Sequence, residues 1–337
     1  KGSHTDYVDR QYLGRLGKVD NGIVTVNIYG IKDGIVFPLI FEVYKPKQRL
    51  KLDDNYQSKP QIAARLVKEL VRLGLVIKRV LADSLYGESS TNLIGVLERL
   101  NLQFMVSIRS NHGVWMLKTE KVRQNKWRKF ERVFSDGHTE TRYVSEVIFG
   151  HRRSYTYWYV TTDPETLPEN STSFVMTNIP GVSYQDIGNI YGLRTWVEYG
   201  FKQCKSELGW ADFTLTKYAD IAKWWELICC SFLLISSLAS SPQPSKPIQL
   251  STCQTELESY LAAHSDWQQK AGWKSMLNNI QLLLVPLLAF NLVKPWLRVF
   301  NNPLLVSSFL TLISLVSLCA NAFLNRDLTT IHSFSSA

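Results

Sequence analysis

Four side chains with complementary chemistry recur at helical spacing in the segment YGLRTWVEYGFKQCK, residues 191–205. Steps of three, four and seven residues return to nearly the same side of an α-helix, since each residue turns the chain by roughly 100°. One predicted stripe therefore carries Tyr191, Arg194, Glu198 and Lys205. A glutamate is a natural ligand for Mg²⁺, while arginine and lysine donors suit phosphate. The spacing is equally compatible with a solvated helix face on which Arg194 and Glu198 form an ordinary ion pair.

A second stripe of the same predicted helix is apolar, at the spacing typical of a surface that faces a protein core. The mixed-charge stripe runs directly along this predicted buried edge. The apolar residues are Ile190, Leu193, Val197, Phe201, Cys204 and Leu208.

A second candidate acid, Asp83, follows the predicted strand VIKRVLA. The end of a strand is a common position for a functional site in an α/β sheet. The alternative is an Asx-turn, in which the Asp83 carboxylate only caps the segment that follows.

The composition favours a polyanionic partner, because the 337 residues carry a net charge of +9. The five cysteines have no CxxC spacing. A disulfide framework or a zinc site is therefore not indicated, and a reducing compartment suits the chain. The first residues, KGSHTDYVDRQY, are polar and do not form a signal peptide.

The positive charge is concentrated in residues 117–133, which hold seven Lys or Arg residues against two Glu. We expect Lys126, Arg128 and Lys129 to contact the backbone of a nucleic acid without recognising its sequence. The alternative is an ordinary solvated face.

The order of elements in the first half is strand, strand, helix, strand, helix, strand, which is an α/β pattern. The first two strands, GIVTVNIYG and IVFPLIFEVY, are predicted to form a hairpin about the turn Lys32-Asp33-Gly34. Ser58 and Pro60 signal the start of the first helix. Its predicted buried face is Ile62, Leu66, Leu70 and Leu73.

Four regions follow from this organisation. Residues 1–108 contain the first part of the α/β core, and residues 109–180 are a predicted β-rich insertion. Residues 181–239 contain the helix that carries Glu198 and the second part of the core. Residues 240–337 are a predicted all-helical C-terminal region that opens with a linker rich in Pro and Ser.

An apolar run near the C-terminus, PLLVSSFLTLISLVSLCANAFL, is long enough to cross a bilayer. It is interrupted by Ser, Thr and Asn and has no dense Lys/Arg flank. A buried helix that packs on other C-terminal helices is therefore favoured over a membrane span.

The chain resembles the DDE transposases of bacterial insertion sequences in three features. It has an acid at the end of a core strand, then a β-rich insertion, and then a helix with the signature Y-x2-R-x3-E-x6-K. All four signature positions match, at Tyr191, Arg194, Glu198 and Lys205. The segments VDRQYLGRLGKVDNG, VLADSLYG and KSELGW are similar to the branch named after insertion sequence 701. The resemblance implies a ribonuclease-H-like core, a β-rich insertion before the catalytic helix and DNA transposition as the function.

The resemblance also implies roles for individual residues. Asp83 and Glu198 correspond to the second and third catalytic acids, which bind two Mg²⁺ or Mn²⁺ ions in a complete enzyme. Tyr191, Arg194 and Lys205 correspond to groups that hold DNA phosphates. Lys202 falls on the same helical stripe and is expected to add to this phosphate binding. In some relatives an aromatic residue of the insertion stacks on a flipped base, and Trp115, Trp127 and Trp158 are the candidates for this role here. The alternative for each of them is packing in the core.

The implied partner is double-stranded DNA, both the element ends and the target, bound by a homodimer in the bacterial cytoplasm near the nucleoid and without a membrane. The first catalytic aspartate and its strand are expected to precede Lys1, so the chain is expected to be incomplete. Asp6, Asp9 and Asp20 are weak substitutes for that acid. The alternative function is a catalytically silent DNA-binding remnant of a transposase.

Overall fold

The computed structural model describes residues 2, 4–13, 17–133, 139–240, 264–268 and 272–331. The chain divides into two compact units, Lys1–Cys229 and Cys230–Ala337. Apart from its first residue, the predicted linker at 240–252 lies outside the described residues.

From β3 to β6 the first unit has the predicted order of strands and helices, and among the described residues five strands follow before the helices that carry Tyr191 and Glu198. The strands are β1 (Asp9–Leu13), β2 (Lys18–Gly22), β3 (Thr25–Lys32), β4 (Ile35–Val43), β5 (Arg79–Ala82), β6 (Gln103–Ile108), β7 (Val122–Gln124), β8 (Arg128–Val133), β9 (Thr139–Phe149), β10 (Thr156–Thr161) and β11 (Ser173–Thr177). The α-helices in the described part of the chain are α1 (Lys59–Arg72), α2 (Ser84–Gly87), α3 (Gly95–Arg99), α4 (Tyr184–Gly192), α5 (Arg194–Ser206), α6 (Tyr218–Ser240), α7 (Trp273–Val299) and α8 (Pro303–Ile331).

The hairpin of β3 and β4 is confirmed. Its turn places Asp33 and Gly34 at φ values of 52° and 80°. Two successive residues with positive φ form the turn whose twist matches that of the flanking strands, and the Asp-Gly pair is well suited to it. The local sequence alone therefore determines this connection.

The start of α1 is also confirmed. The Ser58 side chain caps the backbone N–H of Gln61, and the Gln61 side chain accepts from the Ser58 N–H, which completes a capping box. The predicted face is wrong at Leu73, which is 58% exposed because the helix ends at Arg72. The buried part of the predicted face is Ile62, Leu66 and Leu70.

The main sheet has the strand order β5-β6-β11-β10-β9-β7, and β8 also pairs with β9. The β5–β6 pair is parallel and the other pairs are antiparallel. The strands of residues 109–180 therefore continue the sheet that β5 and β6 begin, with β11 as the connection. The mixed α/β architecture predicted from the sequence is confirmed.

Helices cover both faces of the sheet that β5 and β6 begin. Val80 of β5 and Val106 of β6 pack in one hydrophobic cluster with α1. Leu81 and Met105, which alternate with them, pack in a second cluster with Ile187 of α4. Successive side chains of a strand point to opposite faces, so α1 and α4 lie on opposite sides of the sheet.

The β3–β4 hairpin is covered in the same way. Val26 and Ile28 belong to the cluster with α1. The ring of Tyr29, on the other face of β3, lies 4.9 Å from the ring of Phe201 on α5. Helices α4 and α5 thus lie on the side away from α1.

The second unit contains α7 and α8. The predicted apolar helix is present in α8, and it packs on α7 through Phe309 and Phe290, whose ring centroids are 5.7 Å apart. The prediction that this helix is buried is wrong for its described side chains: Leu304 and Leu310 are 77% and 51% exposed. The contact with α7 covers only one edge of the helix. By length and composition alone, α7 and residues 218–239 of α6 could each cross a membrane, a test that a core helix also passes.

Candidate active site

Asp83 directly follows β5, as predicted, and its extended backbone (φ −81°, ψ −178°) continues the alternation of the strand. Its side chain therefore projects to the same face as Leu81, the face covered by α4. Oδ1 of Asp83 accepts a hydrogen bond from the backbone N–H of Leu85 at 3.0 Å and caps α2. The capping interaction that the sequence left as the alternative is thus present, and it uses one oxygen of an exposed carboxylate.

The short helix α2 is held tightly against β6. A Cβ atom on Gly87 would lie 1.9 Å from the carbonyl oxygen of Ser107, so only glycine allows this approach. The backbone directly after Asp83 is fixed as a result.

Glu88 ties α2 to the segment that follows β6. Its Oε1 accepts from the Arg109 N–H at 2.7 Å, and its Oε2 lies 3.0 Å from Nδ1 of His112. Burial raises the pKa of Glu88, but the two hydrogen bonds outweigh it, and the pKa lies below its usual value. Sequence reasoning missed this cluster, because its partners are more than twenty residues apart.

The predicted single helix that carries the four-residue stripe is two helices, α4 and α5, joined at Leu193. In a continuous helix the Gly192 carbonyl would accept from the Trp196 N–H. Here it accepts from the Thr195 hydroxyl at 2.8 Å and from Nη2 of Arg132 at 3.1 Å. The Trp196 N–H donates instead to the Leu193 carbonyl at 3.0 Å, which tightens the turn.

The break leaves three side chains of the stripe together, but Tyr191 is only 9% exposed and packs in the hydrophobic cluster with Ile187, unlike the predicted charged edge. The guanidinium carbon of Arg194 lies 5.7 Å from the centre of the Tyr191 ring. Nη1 of Arg194 is 2.9 Å from Oε1 of Glu198, whose side chain is 59% exposed. The ordinary ion pair that the sequence left as the alternative therefore exists, and Glu198 remains accessible from solvent.

The rest of α5 follows the predicted division into two edges. Cys204 is buried and its sulfur lies 3.6 Å from the hydroxyl of Tyr29. Burial raises the pKa of the Cys204 thiol to about 11, which keeps it protonated. On the other edge Lys202 is exposed, and Nζ of Lys205 lies 5.3 Å from the centre of the Phe201 ring.

The acids near the N-terminus serve other contacts. Oδ2 of Asp6 is 2.7 Å from Nζ of Lys51, a hydrogen bond that lowers the pKa of Asp6. Asp20 pairs with Lys18 at 3.2 Å, and Asp9 accepts from a neighbouring backbone N–H. Within the described residues, no three His, Cys, Asp or Glu side chains are grouped closely enough to hold a metal ion.

The basic run forms β7 and β8 and the turn between them. Lys126, Arg128 and Lys129 are all exposed, as a contact with DNA requires. Lys129 also lies 3.4 Å from Glu131. Phe130, two residues after Arg128 on the same face of β8, is buried against α4.

The three tryptophans of the insertion have different environments. Trp158 is 8% exposed and donates from Nε1 to the Thr156 hydroxyl at 2.9 Å. Trp127 lies 6.2 Å from Tyr159, ring to ring. Trp115 is 74% exposed. A cavity of about 400 Å³ lies beside Trp158, and the residues that line it include Lys126, Arg128 and Tyr184.

A family model matches the first part of the chain. Residues 1–143, which include Asp83, match the family described as "DDE superfamily endonuclease". The mixed sheet with helices on both faces is consistent with the fold of such nucleases.

A curated relative extends the match beyond Glu198. The chain is 57% identical over 221 residues to the "Probable transposase for insertion sequence element IS701" of Microchaete diplosiphon. The alignment covers 66% of this chain and 58% of that relative, so the chain spans little more than half of the relative's length. These matches confirm the resemblance, drawn from the motifs, to the DDE transposases of the insertion sequence 701 branch.

Proposed function

We propose that this chain is the catalytic region of a transposase that cleaves DNA strands at element ends and joins them to a target. The observation that carries the proposal is the placement of Asp83 and of the Tyr191–Arg194–Glu198 group toward the same side of the sheet. The class of chemistry follows from the family match.

Two of the side chains fit a hard divalent cation. Asp83 and Glu198 both present exposed carboxylate oxygens, the ligands that Mg²⁺ and Mn²⁺ prefer. When bound, the metal ions stabilise the attacking and leaving oxygens of a phosphoryl transfer. Two carboxylates are few for a pair of cations, whose mutual repulsion needs more negative charge. A third acid is therefore part of the proposal.

The fold offers a place for that acid. Among the described residues, β3 pairs with β4 alone and β5 pairs with β6 alone, so each has an open edge. Both strands pack in the same cluster against α1. We propose that a strand from upstream of Lys1 pairs with both edges and carries the first aspartate beside Asp83. The completed sheet would be the ribonuclease-H-like core.

Phosphate binding is assigned to the donors beside the acids. Arg194 carries a fixed positive charge, and its side chain is 32% exposed beside Glu198. Arg194, Tyr191, Lys202 and Lys205 would hold the phosphates at the cleavage site. The exposed β7–β8 residues named above would contact the backbone of the same duplex. We propose double-stranded DNA bound by a homodimer in the bacterial cytoplasm, with Mg²⁺ or Mn²⁺.

The second candidate function is a silent DNA-binding remnant. It is favoured by the absence of a third metal-binding group within the described part of the chain. Cleavage of an element-end duplex in Mg²⁺ separates the two. We expect residues 1–337 to bind the duplex without cutting it, and a longer polypeptide that begins upstream of Lys1 to cut it. If both polypeptides bind the duplex and neither cuts it, the result would support the DNA-binding remnant.

A further inference from the structure

Strand β8 holds α4 through two glycines one helical turn apart. A Cβ atom on Gly188 would lie 2.1 Å from the ring of Phe130, and one on Gly192 would lie 3.1 Å from Nε of Arg132. Two residues along a strand span about 6.8 Å, and four along a helix span about 6 Å. Both contacts therefore lie along one line, with strand and helix in matched register.

The second contact is made at the break in the helix. Nη2 of Arg132 donates to the Gly192 carbonyl at 3.1 Å and to the Thr195 hydroxyl at 2.6 Å. The Thr195 hydroxyl donates to the same carbonyl. These two donors occupy the Gly192 carbonyl at the turn between Tyr191 and Arg194, where it lies outside the helical ladder.

The surroundings of Arg132 disfavour its positive charge. Burial lowers the pKa of Arg132, as do the charges of Arg142 and Arg194, while Glu140 and Glu198 oppose the effect. Glu140 lies 2.8 Å from Arg142, and Glu198 pairs with Arg194. Three guanidinium groups are thus gathered with two carboxylates, an arrangement that a bound phosphate would stabilise.

We propose that Arg132 is a positioning residue that fixes the α4–α5 junction, so that Tyr191 and Arg194 present their donors to one DNA phosphate. The identity of the ligand rests on the proposed function. The geometry of the junction does not, because every contact that defines it lies within the chain. Arg132 acts through the Gly192 carbonyl and the Thr195 hydroxyl, and neither group needs to touch DNA.

Two variants remove the junction contacts and keep the charge. Thr195→Val deletes the hydroxyl at nearly constant volume, and Arg132→Lys replaces the planar fork with a shorter point donor. The matched control is Arg123→Lys, because Nη2 of Arg123 also donates to a glycine carbonyl, that of Gly150, at 3.0 Å on the exposed strand β7. A change that appears in the two junction variants and not in the control is specific to the junction.

The first readout is amide hydrogen exchange of the whole chain without DNA. We expect exchange at residues 193–198 to become faster in Thr195→Val and Arg132→Lys, with α1 unchanged. The second readout is affinity for a DNA duplex. Arg194→Ala should weaken DNA binding in both the wild type and the Thr195→Val variant. The fold-loss should be at least about threefold smaller in the Thr195→Val background, because the effects of residues that act together are not additive.

The outcomes separate the two proposals. Full additivity of Thr195→Val and Arg194→Ala, or unchanged exchange at the junction, overturns the positioning role while wild-type DNA binding still supports the proposed function. A lower melting temperature combined with full additivity makes Arg132 a structural residue only and also overturns it. If the wild-type chain binds no DNA, the proposed function fails, and faster junction exchange alone supports the hold of Arg132 on α4 and α5.

Discussion

Salt dependence of DNA binding tests the role of β7 and β8 most quantitatively. The perturbation is the triple replacement of Lys126, Arg128 and Lys129 by Ala. All three side chains are exposed, so each substitution should change the free energy of unfolding by less than about 0.5 kcal/mol. A change in binding can then be attributed to lost contacts with DNA.

The expected magnitude follows from the charges. Each neutralised phosphate contributes about 0.9 to the slope of log affinity against log salt. Lys126 and Arg128 should contribute fully, whereas Lys129 shares its charge with Glu131 at 3.4 Å. The slope should therefore flatten by about 1.8 to 2.7. Raising the salt from 50 to 200 mM should weaken DNA binding of both proteins. The fold-loss of affinity should be about 12 to 40 times larger for the wild type than for the triple variant.

The assay is fluorescence anisotropy of a labelled duplex over a series of NaCl concentrations. The control replaces Lys68, Arg72 and Arg99 by Ala, because they are exposed and belong to α1 and α3, which pack on the face of the sheet opposite α4. The control removes the same net charge and should leave the slope nearly unchanged. Equal slopes for the wild type and the β7–β8 variant, or equal flattening by the control, would refute the assignment.

Three further results are expected. Arg194→Ala should weaken binding to the cleaved end and lower unfolding stability by no more than about 1 kcal/mol, since its pair with Glu198 is partly exposed; a thermal denaturation loss of several kcal/mol would make the pair structural. Gly188→Ala should destabilise the fold by about 1 to 3 kcal/mol in urea titration, because the new methyl group overlaps Phe130; no loss would mean that the ring moves away freely. The folded pKa of Glu88 is lowered, so its contribution is present above the unfolded pKa of about 4.3 and is lost as the pH falls through the folded pKa. The stability difference between wild type and Glu88→Gln should shrink as the pH falls below about 4, and a constant difference would exclude the linkage.

Features with local causes could be predicted from the sequence. The β3–β4 turn depends on two residues that tolerate positive φ, and the start of α1 depends on a capping box of four residues, Ser58 to Gln61. The position of Asp83 at the end of β5 followed from a short run of β-branched and aliphatic residues. In each case the deciding interaction lies within a few residues of the chain.

Features with distant causes could not. At the break, the Gly192 carbonyl accepts a hydrogen bond from Arg132, which is sixty residues away in the sequence. The hydrophobic period continued through that break, so the spacing predicted one helix. The exposure of Leu304 was missed for a related reason: apolar composition predicts a preference for burial but does not supply the covering element. The proximity of Tyr191, Arg194 and Glu198 was predicted, because a single tight turn changes their angular positions little.

The most direct test of the catalytic assignment is metal-dependent DNA cleavage by a longer polypeptide that begins upstream of Lys1. Asp83→Asn and Glu198→Gln preserve side-chain volume and remove the metal-binding charge. The expected result is cleavage of an element-end duplex in Mg²⁺ or Mn²⁺ by the unmodified polypeptide, and none by either variant, with DNA affinity retained in all three. Equal cleavage by the Glu198→Gln variant would contradict the assignment of this stripe to metal-assisted phosphoryl transfer.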